Sequence, residues 1–129
     1  MGSRIFLGLS ALLWLPYGVF CLVQPSFLAG AAGVAASSAT GTVELRAMYG
    51  GLQAAIGTLC ALGSASPLWR SHALVGLGVL TAGLGLARLA GVAAGGGLSS
   101  YTAMALVLEF GSAGLALGFA RKSGAWAAA

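Results

Sequence analysis

Acidic residues are almost absent from this chain of 129 residues. It contains no aspartate, and Glu44 and Glu109 are its only glutamates. The lack of aspartate excludes a Ser-His-Asp triad. The single histidine, His72, has no cluster of Cys, Asp or Glu near it in the sequence that could complete a metal site. We therefore expect no metal and no cofactor.

Charge of either sign is scarce. Charged residues make up 6% of the chain and hydrophobic residues 59%, whereas about a quarter of the residues in a soluble domain are charged. This composition excludes an ordinary soluble domain and predicts an integral membrane protein. The net charge of +4 includes no basic run with interleaved aromatic residues, so we expect no nucleic-acid partner.

Four apolar segments are each close to the roughly 20 residues that a membrane-spanning helix needs. Breaker residues separate them: Gln24-Pro25, the run from Gly63 to Pro67, and Gly95-Gly96-Gly97. We predict an all-α fold, an integral membrane four-helix bundle that forms a single domain over residues 1–129. The helices are expected over residues 5–23, 43–62, 73–93 and 101–120, and residues 26–42 over the outer end of the bundle.

The basic residues of the loops and termini predict the orientation. In a four-span chain they all fall on one side: Arg4, Arg70, His72, Arg121 and Lys122. By the positive-inside rule both termini are cytoplasmic. Trp69 and Trp126 suit an aromatic belt at the same face.

The beginning of the chain also allows another interpretation. Arg4, an apolar run and then Ala29-Gly30-Ala31 fit a cleavable signal peptide. The apolar run is long for that purpose, and a polar stripe from Trp14 to Cys21 favours a retained helix.

Helical spacing gathers the polar residues into one stripe on each segment. Since lipid-facing positions should be apolar, we expect the four stripes to face one another. On the first two segments the stripes are Ser10, Trp14, Tyr17, Cys21 and Gln24, then Arg46, Tyr49, Gln53, Gly57 and Cys60. On the last two they are Thr81, Gly85 and Arg88, then Thr102, Ala105, Glu109 and Ser112.

Ionisable residues inside apolar segments are costly in hydrocarbon and usually mark a functional site. We expect Glu44 in the first turn of its helix, where it complements the helix dipole, with Thr42 as the N-cap. The predicted ligand-binding residues, all in the outer half of the bundle, are Glu44, Arg46, Tyr49, Gln53, Arg88, Tyr101 and Glu109. Arg88 and Glu109 are also open to a purely structural interpretation, as an ion pair that fixes helix register.

A family resemblance rests on the run Glu44-Leu45-Arg46-Ala47-Met48-Tyr49-Gly50-Gly51, together with Ala87-Arg88-Leu89 and Glu109-Phe110. With these residues the chain resembles domain of unknown function 4345, a bacterial family of small four-helix membrane proteins, over nearly its whole length. The family is similar in outline to the DoxX-like proteins. The resemblance implies a multi-pass protein of the bacterial inner membrane and carries no established activity.

Three functions fit these residues. The first is binding of a membrane lipid or another small lipidic or amphipathic ligand by the charged cavity. The second is an enzyme that isomerises or cyclises a lipophilic substrate, with Glu109 as acid or base and Tyr49 assisting. The third is an accessory or structural subunit that forms a homo-oligomer or joins another membrane protein through glycine faces such as Gly114 and Gly118.

Overall fold

The computed structural model describes residues 1–123, and Trp126 lies outside them. Within that part of the chain every regular element is helical and no strand forms. The elements are α1 (Gly2–Val23), α2 (Phe27–Ala32), α3 (Ala39–Leu45), the π-helix π1 (Arg46–Gly51), α4 (Leu52–Ala65), α5 (Pro67–Gly91), the π-helix π2 (Val92–Gly96) and α6 (Ser100–Lys122).

Three of these helices are long and apolar enough to cross a membrane. Their mean hydropathies are 2.0, 1.8 and 1.7 for Gly2–Val23, Pro67–Gly96 and Ser100–Lys122. The fourth predicted span, residues 43–62, is divided by π1, and α4 alone has only 14 residues. Backbone dihedrals remain helical at both junctions, Leu45 and Leu52, so α3, π1 and α4 follow one continuous helical path.

The start of that path differs from the prediction. The helix begins at Ala39, and the N-cap is Ser38, whose side chain accepts a hydrogen bond from the Gly41 amide at 3.0 Å. The prediction of Thr42 as the N-cap is therefore wrong: its hydroxyl donates to the Ser38 carbonyl one turn into the helix. Glu44 consequently lies in the second turn, farther from the helix N-terminus than expected.

The segment before Ser38 was predicted only as a cover over the bundle. It contains the short helix α2, which ends at Gly33 in the left-handed conformation, with φ of 68°. Glycine adopts this conformation without a steric penalty and commonly ends helices. Leu28 of α2 is fully buried and anchors the segment.

The run from Gly63 to Pro67 was expected to separate two helices as a loop, and that expectation is wrong for all of it but Ser66. Gly63 lies inside α4, where a side chain would collide with Ala73 of α5. Pro67 begins α5, at a position where its missing N–H costs nothing. Ser66 alone joins the two helices, and the side chain of Arg70 donates to the Gly63 carbonyl at the end of α4. Gly63 therefore allows close packing of the two helices, and Pro67 initiates α5.

Neighbouring long helices pack in chain order: α1 on α4, α4 on α5 and α5 on α6. Contacts define two ends. At the Arg4 end, Ser64 donates to the Arg4 carbonyl and the Phe6 and Phe119 rings lie 5.7 Å apart. We call the opposite end the Arg88 end. It holds Arg88 and the connection between α5 and α6, which lies beyond Arg88 and Glu109.

The apolar core is concentrated towards the Arg4 end. It consists of Leu7, Ala11, Trp14, Ile56, Cys60, Ala73, Leu74, Leu77, Ala116 and Ala120. Two glycines bring α1 and α4 into backbone contact beside this core. A side chain at Gly18 would collide with the backbone of Ala54, and one at Gly57 with the backbone of Leu15. This approach is the packing that small residues permit between membrane helices.

Candidate functional site

Arg88 and Glu109 form an ion pair between α5 and α6. The Arg88 Nη2 donates to Glu109 Oε1 at 2.8 Å, and Nε lies 3.2 and 3.0 Å from Oε1 and Oε2. Gly85, one turn before Arg88, lies against the Phe110 ring and lets the two helices approach. The predicted pairing of these two residues is confirmed.

The two partners are buried to different degrees. The Glu109 side chain is 4% exposed and that of Arg88 27% exposed. Glu109 uses both oxygens on Arg88, whereas Arg88 commits only its Nε and Nη2 groups to the carboxylate. Guanidinium has five N–H donors, and the Nη1 group has no acceptor among residues 1–123. The pair therefore balances its charge internally, and Arg88 keeps N–H donors that no residue among 1–123 accepts.

One aromatic ring lies beside the guanidinium. The central carbon of Arg88 lies 5.8 Å from the centroid of the Tyr101 ring, within the range of a cation–π interaction. Tyr49 of π1 also lies near Arg88, without a hydrogen bond between them. Tyr17 of α1 lies near Tyr101 and Cys21. Residues of α1 and π1 thus lie in the neighbourhood of the ion pair that joins α5 and α6.

Tyr17 was not among the predicted site residues. It did belong to the polar stripe of the first helix, at three residues from Trp14 and four from Cys21. That spacing indicated an inward position. The sequence could not indicate that Tyr17 lies near Tyr101, because the spacing does not tell which turn of α6 faces Tyr17.

Gln53 is buried without a hydrogen-bond partner. The residue is 7% exposed, and its side-chain oxygen has no donor within the described part of the chain. It lies near the close contact between Gly18 and Ala54. Helical side chains lean towards the helix N-terminus, which for Gln53 is the direction of Tyr49. Burying such an acceptor unpaired costs about 1–3 kcal/mol, so this position favours a hydrogen-bond donor.

Tyr49 lies on π1, whose sequence is Arg46-Ala47-Met48-Tyr49-Gly50-Gly51. This π-helix coincides with the most specific run in the family resemblance. Gly50 packs so closely on Leu22 of α1 that a side chain would collide with it. π-Helical turns occur often at functional sites, and here the irregular turn carries Tyr49, which lies near Arg88.

Two predicted site residues lie apart from this cluster. Glu44 and Arg46 are exposed, and neither forms an ion pair within residues 1–123. The structure brings together Arg88, Glu109, Tyr101 and Tyr49 and leaves Glu44 and Arg46 on the surface.

Two shallow, open grooves overlap at the opposite, Arg4 end of the molecule. Both are lined by Arg4, Gly8, Leu12 and Ser64, from α1 and α4. The predicted outer cavity thus stays a prediction. Within the described chain, no three His, Cys, Asp or Glu residues come close enough to hold a metal ion.

Sequence comparison gives one relationship. No curated protein and no solved structure matches the chain. The sequence model of one family matches residues 2–120, and that range includes π1, Arg88 and Glu109. The chain therefore belongs to the family described as domain of unknown function (DUF4345).

Proposed function

We propose that this protein crosses a membrane four times as a single domain, with both termini cytoplasmic. We further propose that Arg88, Glu109, Tyr101, Tyr49 and Gln53 bind the polar group of a small lipidic or amphipathic ligand near the outer face. In this proposal, Glu44 and Arg46 contact the ligand at the entrance of the site. The membrane in question is the bacterial inner membrane.

The fourth crossing is supported by the continuous helical path over residues 39–65. At 1.5 Å per residue, 27 residues extend about 40 Å, more than the roughly 30 Å hydrocarbon core. One side of α4 is buried along this path, at Gln53, Ile56, Gly57, Cys60 and Gly63. The packing of α1 on α4 also supports a retained first helix over a cleaved signal peptide.

The observation that carries the ligand proposal is the asymmetry of the ion pair. Glu109 neutralises Arg88, so the pair is tolerated in a low-dielectric interior. Arg88 nevertheless keeps its Nη1 donors and a partly exposed face beside Tyr101. A purely structural pair has no need of spare donors. A ligand carbonyl, hydroxyl or phosphate oxygen fits these donors, and a ligand hydroxyl or amine fits the unpaired oxygen of Gln53.

The enzymatic alternative has less support. A general base must lie within reach of its substrate, but the Glu109 side chain is only 4% exposed and is held by Arg88. The accessory-subunit alternative draws on Gly111, Gly114 and Gly118 of α6. A side chain at any of these would meet nothing within 4 Å. Open glycines fit a helix partner, but they do not account for the polar cluster.

Co-purification tests the ligand proposal. The protein is extracted with its surrounding lipid, and the retained small molecules are identified by mass spectrometry. We expect one amphipathic molecule to be enriched over bulk lipid, and to be lost from the double variant Arg88→Leu with Glu109→Leu. The matched control is Val79→Leu with Val107→Leu, which alters exposed residues of the same helices. Equal retention by both double variants, or no enrichment at all, would refute the proposal.

Topology is tested separately by labelling an introduced cysteine with a membrane-impermeant reagent. Ser37→Cys, between α2 and α3, should react from the outside, and Ser123→Cys, at the end of α6, only after the membrane is opened. The native Cys21 and Cys60 are buried and should react slowly. The reverse pattern would overturn the orientation.

A further inference from the structure

We propose a second site, at the Arg4 end: the groove between α1 and α4 binds an anionic phospholipid. The lipid phosphate contacts Arg4, and an acyl chain lies along Gly8, Leu12 and Pro16. This inference rests on the proposed membrane insertion and orientation, but it does not depend on the Arg88 site.

The groove results from local packing. Gly8 has no side chain to fill the space beside Ser64, whose hydroxyl would lie 3.2 Å from an added Cβ. Ser64 donates to the Arg4 carbonyl and so fixes the start of α1 against the end of α4. The groove between these points has a volume of about 430 Å³ and opens sideways; it is lined by Arg4, Gly8, Leu12, Pro16, Ala61 and Ser64. The wall of the groove is mainly apolar, and its charged residue, Arg4, lies at one end. A phospholipid has the same division, with a charged head group at one end of apolar acyl chains.

Charge complementarity identifies the head group. The contacts that join the helix ends gather four cations there: Arg4, Arg70, Arg121 and Lys122. Arg70 bonds to Gly63 beside Ser64, and the Phe119 ring, two residues before Arg121, packs on Phe6 of α1. No carboxylate side chain offsets them, because the only two in the sequence, Glu44 and Glu109, lie in the other half.

This arrangement favours an anionic lipid over its competitors. Basic pockets between spanning helices on the cytoplasmic side attract anionic head groups. A zwitterionic lipid would bring its own cation towards Arg4 and its neighbours. A soluble anion such as phosphate could use Arg4, but it would gain nothing from the apolar wall formed by Leu12 and Pro16.

Native mass spectrometry of the full protein in detergent tests the site. Phosphatidylglycerol, phosphatidylcholine with the same acyl chains, and inorganic phosphate are titrated separately. We expect phosphatidylglycerol to bind more tightly than phosphatidylcholine. Arg4→Gln should weaken its binding about fivefold, the effect of one basic residue near an anionic surface. Arg4→Lys, which keeps the positive charge, should leave it nearly unchanged.

A second variant tests the apolar wall. Gly8→Leu fills the groove and should also weaken phosphatidylglycerol binding, whereas Gly83→Leu, at a position open on every side, should not. If Gly8→Leu does not fold, Arg4→Gln decides, since Arg4 has an exposed side chain. Equal binding of the two lipids, equal effects of Arg4→Gln and Arg4→Lys, or displacement of phosphatidylglycerol by inorganic phosphate would overturn the proposal. The effects of Arg4→Gln and Gly8→Leu should persist in the double variant Arg88→Leu with Glu109→Leu, which lacks the first site, so failure of either site is recognised separately.

Discussion

The Arg4 half and the Arg88 half of the molecule are built from the same helices but differ in how those helices pack. In the Arg4 half, small and apolar side chains from four helical segments form one core. In the Arg88 half, the buried residues of α5 end at Gly85 and those of α6 begin at Glu109. Beyond these positions, each of the two helices has no buried residue within the described chain. Arg88 and Glu109 therefore lie at the boundary between a packed region and a loosely packed one.

This difference suggests a division of roles. Close glycine contacts and an apolar core stabilise the Arg4 half, although one buried polar group there, the Trp14 indole N–H, has no hydrogen-bond partner among residues 1–123. The Arg88 half has an unpaired acceptor on Gln53 and, in addition, spare charged donors on Arg88. Charged donors at the edge of a core cost stability unless they find a partner. Variants on the two sides of this boundary should therefore change stability and ligand binding separately.

The largest effect should come from breaking the ion pair. Glu109→Gln leaves Arg88 with an unneutralised charge at the edge of the core, and we expect it to destabilise the protein by about 3 kcal/mol or more. Arg88→Leu with Glu109→Leu should recover much of that loss, because apolar replacement of both charges is often neutral. Thermal melting in detergent measures both effects.

The double variant also separates a scaffold from a binding site. A purely structural pair predicts that the rescued protein retains its ligand, and a binding pair predicts that it folds but loses the ligand. Additive losses with no rescue would contradict the energetic coupling expected from the contacts between Arg88 and Glu109.

The next effect concerns the packed half. Gly18→Val places a side chain against the backbone of Ala54, so α1 and α4 must separate. We expect a loss of up to about 3 kcal/mol, the usual cost of overpacking. Gly83→Val is the matched control because nothing lies within 4 Å of that position. Comparable melting temperatures for the two variants would mean that the close helix contact does not support stability.

The sequence predicted the helical class and the pairing of Arg88 with Glu109 because both follow from the free-energy cost of placing unpaired polar or charged groups in lipid. Long apolar runs must satisfy their own backbone groups in lipid, and two opposite charges in such runs must find each other. The boundaries were harder to predict. Ser38 and Thr42 are both good N-caps, and the residue type alone does not distinguish them.

Other features depend on contacts that no local pattern encodes. Gly63 and Pro67 are signals for a turn, yet close packing on Ala73 keeps the first in α4, and helix initiation uses the second. The π-helical turn before Gln53 likewise has no reliable signature in composition. Arg46 was expected inside because of its spacing from Tyr49, but it lies on the surface. Spacing alone assumed a regular α-helix through residues 46–51, and π1 changes that register.

A smaller effect should have the opposite sign. Gln53→Leu removes a buried acceptor that has no partner, and we expect it to stabilise the unliganded protein by about 1 kcal/mol. Thr81→Val is the control, since the Thr81 hydroxyl already donates to the Leu77 carbonyl at 2.7 Å and its removal should not stabilise. Melting and ligand retention are measured together. A destabilised Gln53→Leu variant would show that this side chain has a partner after all.

The smallest effect should come from Tyr101. Its ring lies against the guanidinium of Arg88, with 5.8 Å between the ring centroid and the central carbon, and a cation–π contact at a partly exposed site contributes about 0.5–1 kcal/mol. Tyr101→Leu should weaken ligand binding by about that amount, because Arg88 loses the surface that holds its guanidinium plane. Tyr101→Phe preserves the ring and removes only the hydroxyl. If the ring positions Arg88, the phenylalanine variant should bind ligand as the original protein does. Loss of binding in both variants would instead assign the contribution to the Tyr101 hydroxyl.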